Sequence, residues 1–112
     1  MRTGEKLGWF KFNPTLWMFD RISLESLEIQ GLYINVLCLY WIREGDLDSD
    51  MLIGRFPKQR ENLEHLIDND YLELGEDGYV TIDFLDREIN AAHTRIEKGK
   101  NAAKKRWKTK VE

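Results

Sequence analysis

A chain of 112 residues with 42% apolar and 12% aromatic residues is long enough to build one core, with no need of disulfide or metal support. The net charge of −3 conceals two opposed parts: residues 1–92 hold nine Lys/Arg against eighteen Asp/Glu, and residues 93–112 hold eight against two. That composition excludes a disulfide scaffold, a wholly disordered chain and a uniformly basic nucleic-acid binder. Any polyanion should meet the end and avoid the body.

The N-terminus MRTGEKLGWFKF has no continuous apolar stretch of the secretory type. The longest apolar run, Leu32–Ile42, includes Asn35 and is far shorter than the ~20 residues a membrane span needs. The expectation is a soluble intracellular protein without a membrane partner. Cys38 lies inside that run and is expected to be a buried, inert thiol.

Trp9–Phe12, closed by Asn13-Pro14, reads as a strand or extended segment, and Trp17, Met18 and Phe19 continue as a hydrophobic connector. Ser23 is expected to cap the dominant helix, with Glu25 and Glu28 favoured by the dipole of its opening turns. Leu24, Leu27, Gly31, Ile34, Cys38 and Trp41 recur at spacings of three and four; Leu32, Val36, Leu39 and Tyr40 widen the stripe around most of the cylinder. Such a helix must be central. Gly31 costs about 1 kcal/mol in a helix interior, so a closely approaching neighbour is expected there. Gly45 ends the helix.

Asp48 or Ser49 should cap a short helix through Met51, Leu52 and Ile53, stopping near Gly54. Pro57 suits the first turn of the next helix, which turns Leu63, Leu66 and Ile67 inward and ends near Asp68-Asn69. Tyr71–Leu74 and Tyr79–Asp83 flank Gly75-Glu76-Asp77-Gly78, a hairpin signal with Leu72, Leu74, Val80 and Ile82 on its buried face. A last helix begins near Phe84. Its seam of Leu85, Ile89, Ala92, Ile96, Gly99 and Ala103 would dock on the body or pair with another helix, giving a possible homodimer.

Three helices followed by a two-stranded wing make a winged helix-turn-helix-like arrangement, α+β but mainly α. The expected organisation is an acidic winged-helix-like body over residues 1–92 and a basic C-terminal helical extension over residues 93–112.

WFKFNP, SLESLEIQGLYINVLCLYW, the EGDLDSD turn and the closing GKNAAKKRW also make the chain resemble the YdaU-like proteins, small phage and prophage proteins of largely unknown function. The resemblance runs from Trp9 to Trp107. It implies a winged-helix domain associated with phage DNA replication in the cytoplasm of a bacterial host, and it brings no catalytic residues.

For nucleic acid, Lys58, Gln59 and Arg60 open the presumed recognition helix, and Arg and Gln side chains read base edges bidentately. Glu61, Glu64, Asp68 and Asp70 follow closely and would repel phosphate, so a solvated mixed-charge helix is the competing reading. Glu73, Glu76, Asp77 and Asp83 make the wing acidic, which suits a protein partner better. Lys98, Lys100, Lys104, Lys105, Arg106, Lys108 and Lys110 would cover several faces of the last helix, and Trp107 could stack on a base. Nothing in this tail reads sequence. A solubilising terminus, or a tail folded across its own acidic body, are the alternatives.

Enzymatic readings find no support in the sequence. His65 and His93 have no companion at metal-ligand spacing, a lone cysteine offers no zinc set, and no phosphate-binding glycine loop occurs. Asp46, Asp48 and Asp50 alternate like a calcium loop but lack its Gly and Glu, which leaves cap and turn duty. The expectation is a non-enzymatic protein without cofactor or metal. It would contact DNA non-specifically, replication proteins, or both. The competing class is an interaction module that binds no nucleic acid and associates through the helical seam. A regulator reading DNA with Lys58–Arg60 is the third.

Overall fold

The computed structural model describes residues 7–111, with side chains to Ala102. In chain order it contains α1 (Pro14–Phe19), a 3₁₀ turn (Arg21–Leu24), α2 (Leu27–Ile42), α3 (Ser49–Arg55), α4 (Arg60–Asp68), β1 (Glu73–Leu74), β2 (Val80–Thr81) and α5 (Asp83–Val111). The molecule is mainly helical, with one small antiparallel hairpin.

The first departure from expectation lies in the aromatic N-terminal run. Trp9–Phe12 forms no strand; it is an irregular segment held by ring contacts, Phe10 to Trp41 at 5.5 Å and Phe12 to Trp17 at 5.4 Å. The connector after it is helical instead. Asn13 accepts a hydrogen bond from the Leu16 amide at 3.1 Å, and Pro14 occupies the first position, where no N–H is needed.

The second departure concerns the cap of the long helix. Asp20 accepts from the Arg21 amide at 2.7 Å and nucleates the 3₁₀ turn, and Glu25 leaves that turn extended. Ser26, not Ser23, therefore caps α2, accepting from the Ile29 amide. Ser23 donates its hydroxyl to the carbonyls of Asp20 and Met18. The shift matters for packing. Ile29, Leu32, Val36, Leu37, Tyr40 and Trp41 are buried, whereas Leu24 and Leu27 are 88% and 84% exposed and Cys38 is exposed. Because α2 is apolar nearly all round, periodicity allows more than one inward face; the cap at Ser26 and the neighbouring elements select this one. Gly31 has no neighbour within 4 Å of an added Cβ, so the expected close approach is absent.

The end of α2 follows the expected design. The Gly45 amide reaches the Tyr40 carbonyl and the Glu44 amide the Trp41 carbonyl, with Glu44 and Gly45 both at positive φ, a Schellman closure. Asp48 caps α3 by accepting from the Met51 amide at 2.9 Å. Pro57 does not open α4. The Gln59 amide bonds the Phe56 carbonyl, placing Pro57 at the second position of a turn, and α4 starts at Arg60.

β1 and β2 pair in the register Glu73↔Thr81 and Leu74↔Val80. A third short segment joins them: Asp48 bridges Tyr79, the Val80 amide donates to the Leu47 carbonyl at 2.8 Å, and the Ser49 amide donates to the Gly78 carbonyl at 2.9 Å. Leu72, Val80 and Ile82 face inward as expected, but Leu74, beside the turn, overhangs the core and is exposed. The core is one cluster in which α2 meets Leu63 and Leu66 of α4, the hairpin, and Leu85, Ile89 and Ala92 of α5. Fully enclosed residues such as Val36, Leu66 and Leu85 each contribute about 2 kcal/mol of apolar transfer.

Candidate functional site

The α4 entrance does not display three free readers. Lys58 lies in the preceding turn and is exposed. Gln59 occupies the N-cap position without capping; its Nε2 donates to Glu28 Oε1 at 3.2 Å and its Oε1 accepts from Asn62 at 2.7 Å. Arg60 opens the helix and faces Glu64 at 3.7 Å, an exposed pair of little energetic weight. Two of the three side chains thus already have partners, both involving acidic neighbours. The hairpin beside them carries no Lys or Arg between Tyr71 and Asp86, and Glu73, Glu76, Asp77 and Asp83 are exposed. This face repels phosphate.

The seam of α5 is divided. Leu85, Ile89 and Ala92 are buried in the chain's own core and Ile96 packs partly against it, so this stretch docks on the body and has no free surface for a second chain. The reason is the hairpin, which delivers α5 directly onto α2: Tyr40 donates to Asp86 Oδ1 at 2.5 Å and accepts from the Ile82 amide at 3.3 Å. Burial and the Asp86 carboxylate push the Tyr40 phenol up to about 12. Farther along, His93 pairs with Glu44, fastening the start of the basic segment to the end of α2.

Beyond Ile96, every described side chain of α5 is exposed and Gly99 touches nothing. Twenty-nine helical residues span roughly 43 Å, and the molecule measures 62 × 32 × 21 Å, so the helix extends well past the body. Among the described residues, Lys98 and Lys100 have no acidic partner. Lys104, Lys105, Arg106, Trp107, Lys108 and Lys110 follow on the helical backbone; their side chains, like that of Ala103, lie outside the described ones.

Two features escaped the sequence reading. The first is a knot around Glu25, whose carboxylate accepts from the Tyr71 hydroxyl at 2.8 Å and meets His65 Nε2 at 2.9 Å. Arg21 lies 4.2 Å above the Tyr71 ring and donates to the Asn69 carbonyl. The Tyr71 hydrogen bond, aided by His65, holds the Glu25 carboxyl below its ordinary range against the opposing effect of burial. Carboxylate, imidazole and phenol satisfy one another here, tying the start of α2 to α4 and the hairpin. Partners forty and forty-six residues away leave no local signal of this.

The second is an aromatic cleft of about 390 Å³ lined by Phe10, Phe12, Trp17, Tyr33, Leu37 and Phe84, with Lys11, Asp20 and Glu88 also in its lining. Trp17, one of the lining residues, donates to Gln30 Oε1 at 3.3 Å. Its size falls in the range of small-ligand pockets. The dense aromatics of residues 9–19 were the only hint. None of Glu25, His65 and Tyr71 lines it. Among the described residues no group of three or more His, Cys, Asp or Glu is placed to hold a metal ion; Asp46 pairs with Arg43 and Asp48 caps α3. No helix among them is long and apolar enough to cross a membrane.

Comparison with protein-family models, with curated proteins and with solved structures finds no match.

Proposed function

We propose that this chain is a non-enzymatic DNA-associated protein of phage or prophage type that acts in replication, holding DNA non-specifically with the basic half of α5. The single observation that carries this reading is the separation of charge along one helix: Asp83, Asp86 and Glu88 lie on the part of α5 that docks on the body, while Lys98 and Lys100 stand exposed beyond it with Glu97 beside them. The element order supports a winged-helix reading of the body, with α2, the Leu47–Ser49 bridge, α3, α4 and the hairpin in sequence. Resemblance to the YdaU-like proteins points the same way. The acidic wing and the engaged Gln59 and Arg60 argue against sequence-specific reading and leave the body to a protein partner.

The test is titration of labelled single- and double-stranded DNA across a salt series. The full chain is compared with one ending at Gly99, which retains every core contact through Ile96. Removing Lys100, Lys104, Lys105, Arg106, Lys108 and Lys110 deletes about six phosphate contacts. The full chain should show a log–log salt slope near −5, and the shortened chain almost no binding. Equal binding by both chains, or none by either, refutes the proposal.

A further inference from the structure

The aromatic cleft draws its walls from four parts of the chain. Phe10 and Phe12 come from the irregular N-terminal segment, Trp17 from α1, Tyr33 from α2 and Phe84 from α5. Phe12, Trp17 and Tyr33 follow one another at centroid distances of 5.4 and 5.9 Å, their planes tilted by 49° and 33°, a bent row rather than a flat stack. Phe12 and Phe84 are 50% and 39% exposed, so the chain leaves these rings partly uncovered. The volume of about 390 Å³ exceeds the ~150 Å³ that accommodates a benzene ring. A whole small molecule fits.

The charges in the lining select its chemistry. Asp20 and Glu88 stand against Lys11, a balance of −1. Glu88 follows Phe84 by one helical turn, so ring and carboxylate share a face of α5. It is half-buried, yet it has no hydrogen-bond or ion-pair partner among the described residues. Lys11 is exposed and pairs with neither carboxylate. Arg21 is outside the lining, held over the Tyr71 ring and at the Asn69 carbonyl. Burial, and then the Asp20 charge, raise the Tyr33 phenol above its ordinary value against the opposing effect of Arg21, so a negative field reaches this wall.

We propose that the cleft binds a small organic cation, an ammonium group carried on an apolar body. Aromatic rings attract such a cation through their quadrupoles, its apolar body displaces water from them, and Glu88 supplies the counter-charge. Both carboxylates disfavour a phosphate-bearing ligand. None of these residues belongs to the basic half of α5, so the inference is independent of DNA binding.

The probe is benzyltrimethylammonium, titrated into the full chain and followed through amide and indole N–H shifts by two-dimensional NMR. Benzyl alcohol and deoxyadenosine monophosphate serve as neutral and anionic comparisons. The cation should saturate with a dissociation constant of about 1 mM or below and move the Trp17 indole signal. It should bind roughly tenfold more tightly than benzyl alcohol. Glu88→Gln should weaken the cation roughly tenfold and leave benzyl alcohol unchanged. Phe12→Leu should weaken the cation about fivefold. Both positions are partly exposed and Glu88 has no partner to lose, so Tm should stay near the wild-type value and separate lost binding from lost folding. Equal affinity for cation and alcohol, preference for the nucleotide, or cation binding that survives either substitution overturns the proposal. So do shifts that miss the cleft, or no saturation by about 10 mM.

Discussion

Replacing Tyr40 with Phe removes a single oxygen at the point where α2, the hairpin and α5 meet. In the folded protein that hydroxyl donates to Asp86 and accepts from the buried Ile82 amide, and the ring is almost wholly enclosed. Without it the amide loses its acceptor, at about 1–3 kcal/mol, and Asp86 loses a charge-assisted bond that water replaces in part. The expected loss is about 2–3 kcal/mol, or roughly 8–12 °C in Tm for a domain of this length. Urea unfolding followed by tryptophan fluorescence should show a lower midpoint with an unchanged m-value. The double-mutant cycle with Asp86→Asn should give a coupling of at least about 0.5 kcal/mol. Alkaline pH offers a second readout. The folded phenol titrates near 12, above its ordinary value of 10, so its stabilisation is complete below pH 10 and disappears as pH rises through 12. Tyr40→Phe should lack that alkaline component. A Phe variant within 0.5 kcal/mol of wild type, by the usual spread for surface changes, would refute this assignment of the junction.

Three further outcomes follow from local geometry. Gly31→Ala should stabilise the protein by about 0.5–1 kcal/mol in urea unfolding, because the helix interior gains propensity and the new methyl meets nothing. Cys38 should react with a thiol reagent in the native protein at a rate close to that of the unfolded chain; protection requiring unfolding would contradict its exposure. The Glu25 carboxyl is held below its ordinary value of 4.5, so its contribution to stability is present above that value and is lost as pH falls through the lowered one. The difference in urea midpoint between wild type and Glu25→Gln should therefore shrink on acidification from pH 6 to the acid limit of folding.

Sequence reading recovers what local chemistry determines. Asp48 as a cap, the Gly45 closure, Leu63 and Leu66 facing inward and the Gly75–Gly78 turn all depend on residues within a few positions of one another. The misreadings are choices between locally equivalent options, settled by a neighbouring cap in one case and by contacts distant in the chain in others. Ser23 and Ser26 are both competent caps, and Asp20 decides between them by starting a 3₁₀ turn. That choice turns Leu24 and Leu27 outward. Cys38 falls on the wrong side of a cylinder that is apolar nearly all round. The Glu25 knot, the His93–Glu44 pair and the aromatic cleft each join residues far apart in the chain, where periodicity carries no information.

Because α5 runs unbroken from Asp83 to Val111, its opening turns and its lysine-bearing half belong to one cooperative rod. Clamping the distal half suppresses fraying along the same hydrogen-bond ladder that seats Leu85 and Asp86. If the proposed DNA contact holds and favours the helical form of this end, a polyanion gripping it would act as a thermal brace for the globule, raising its melting point by mass action without touching it.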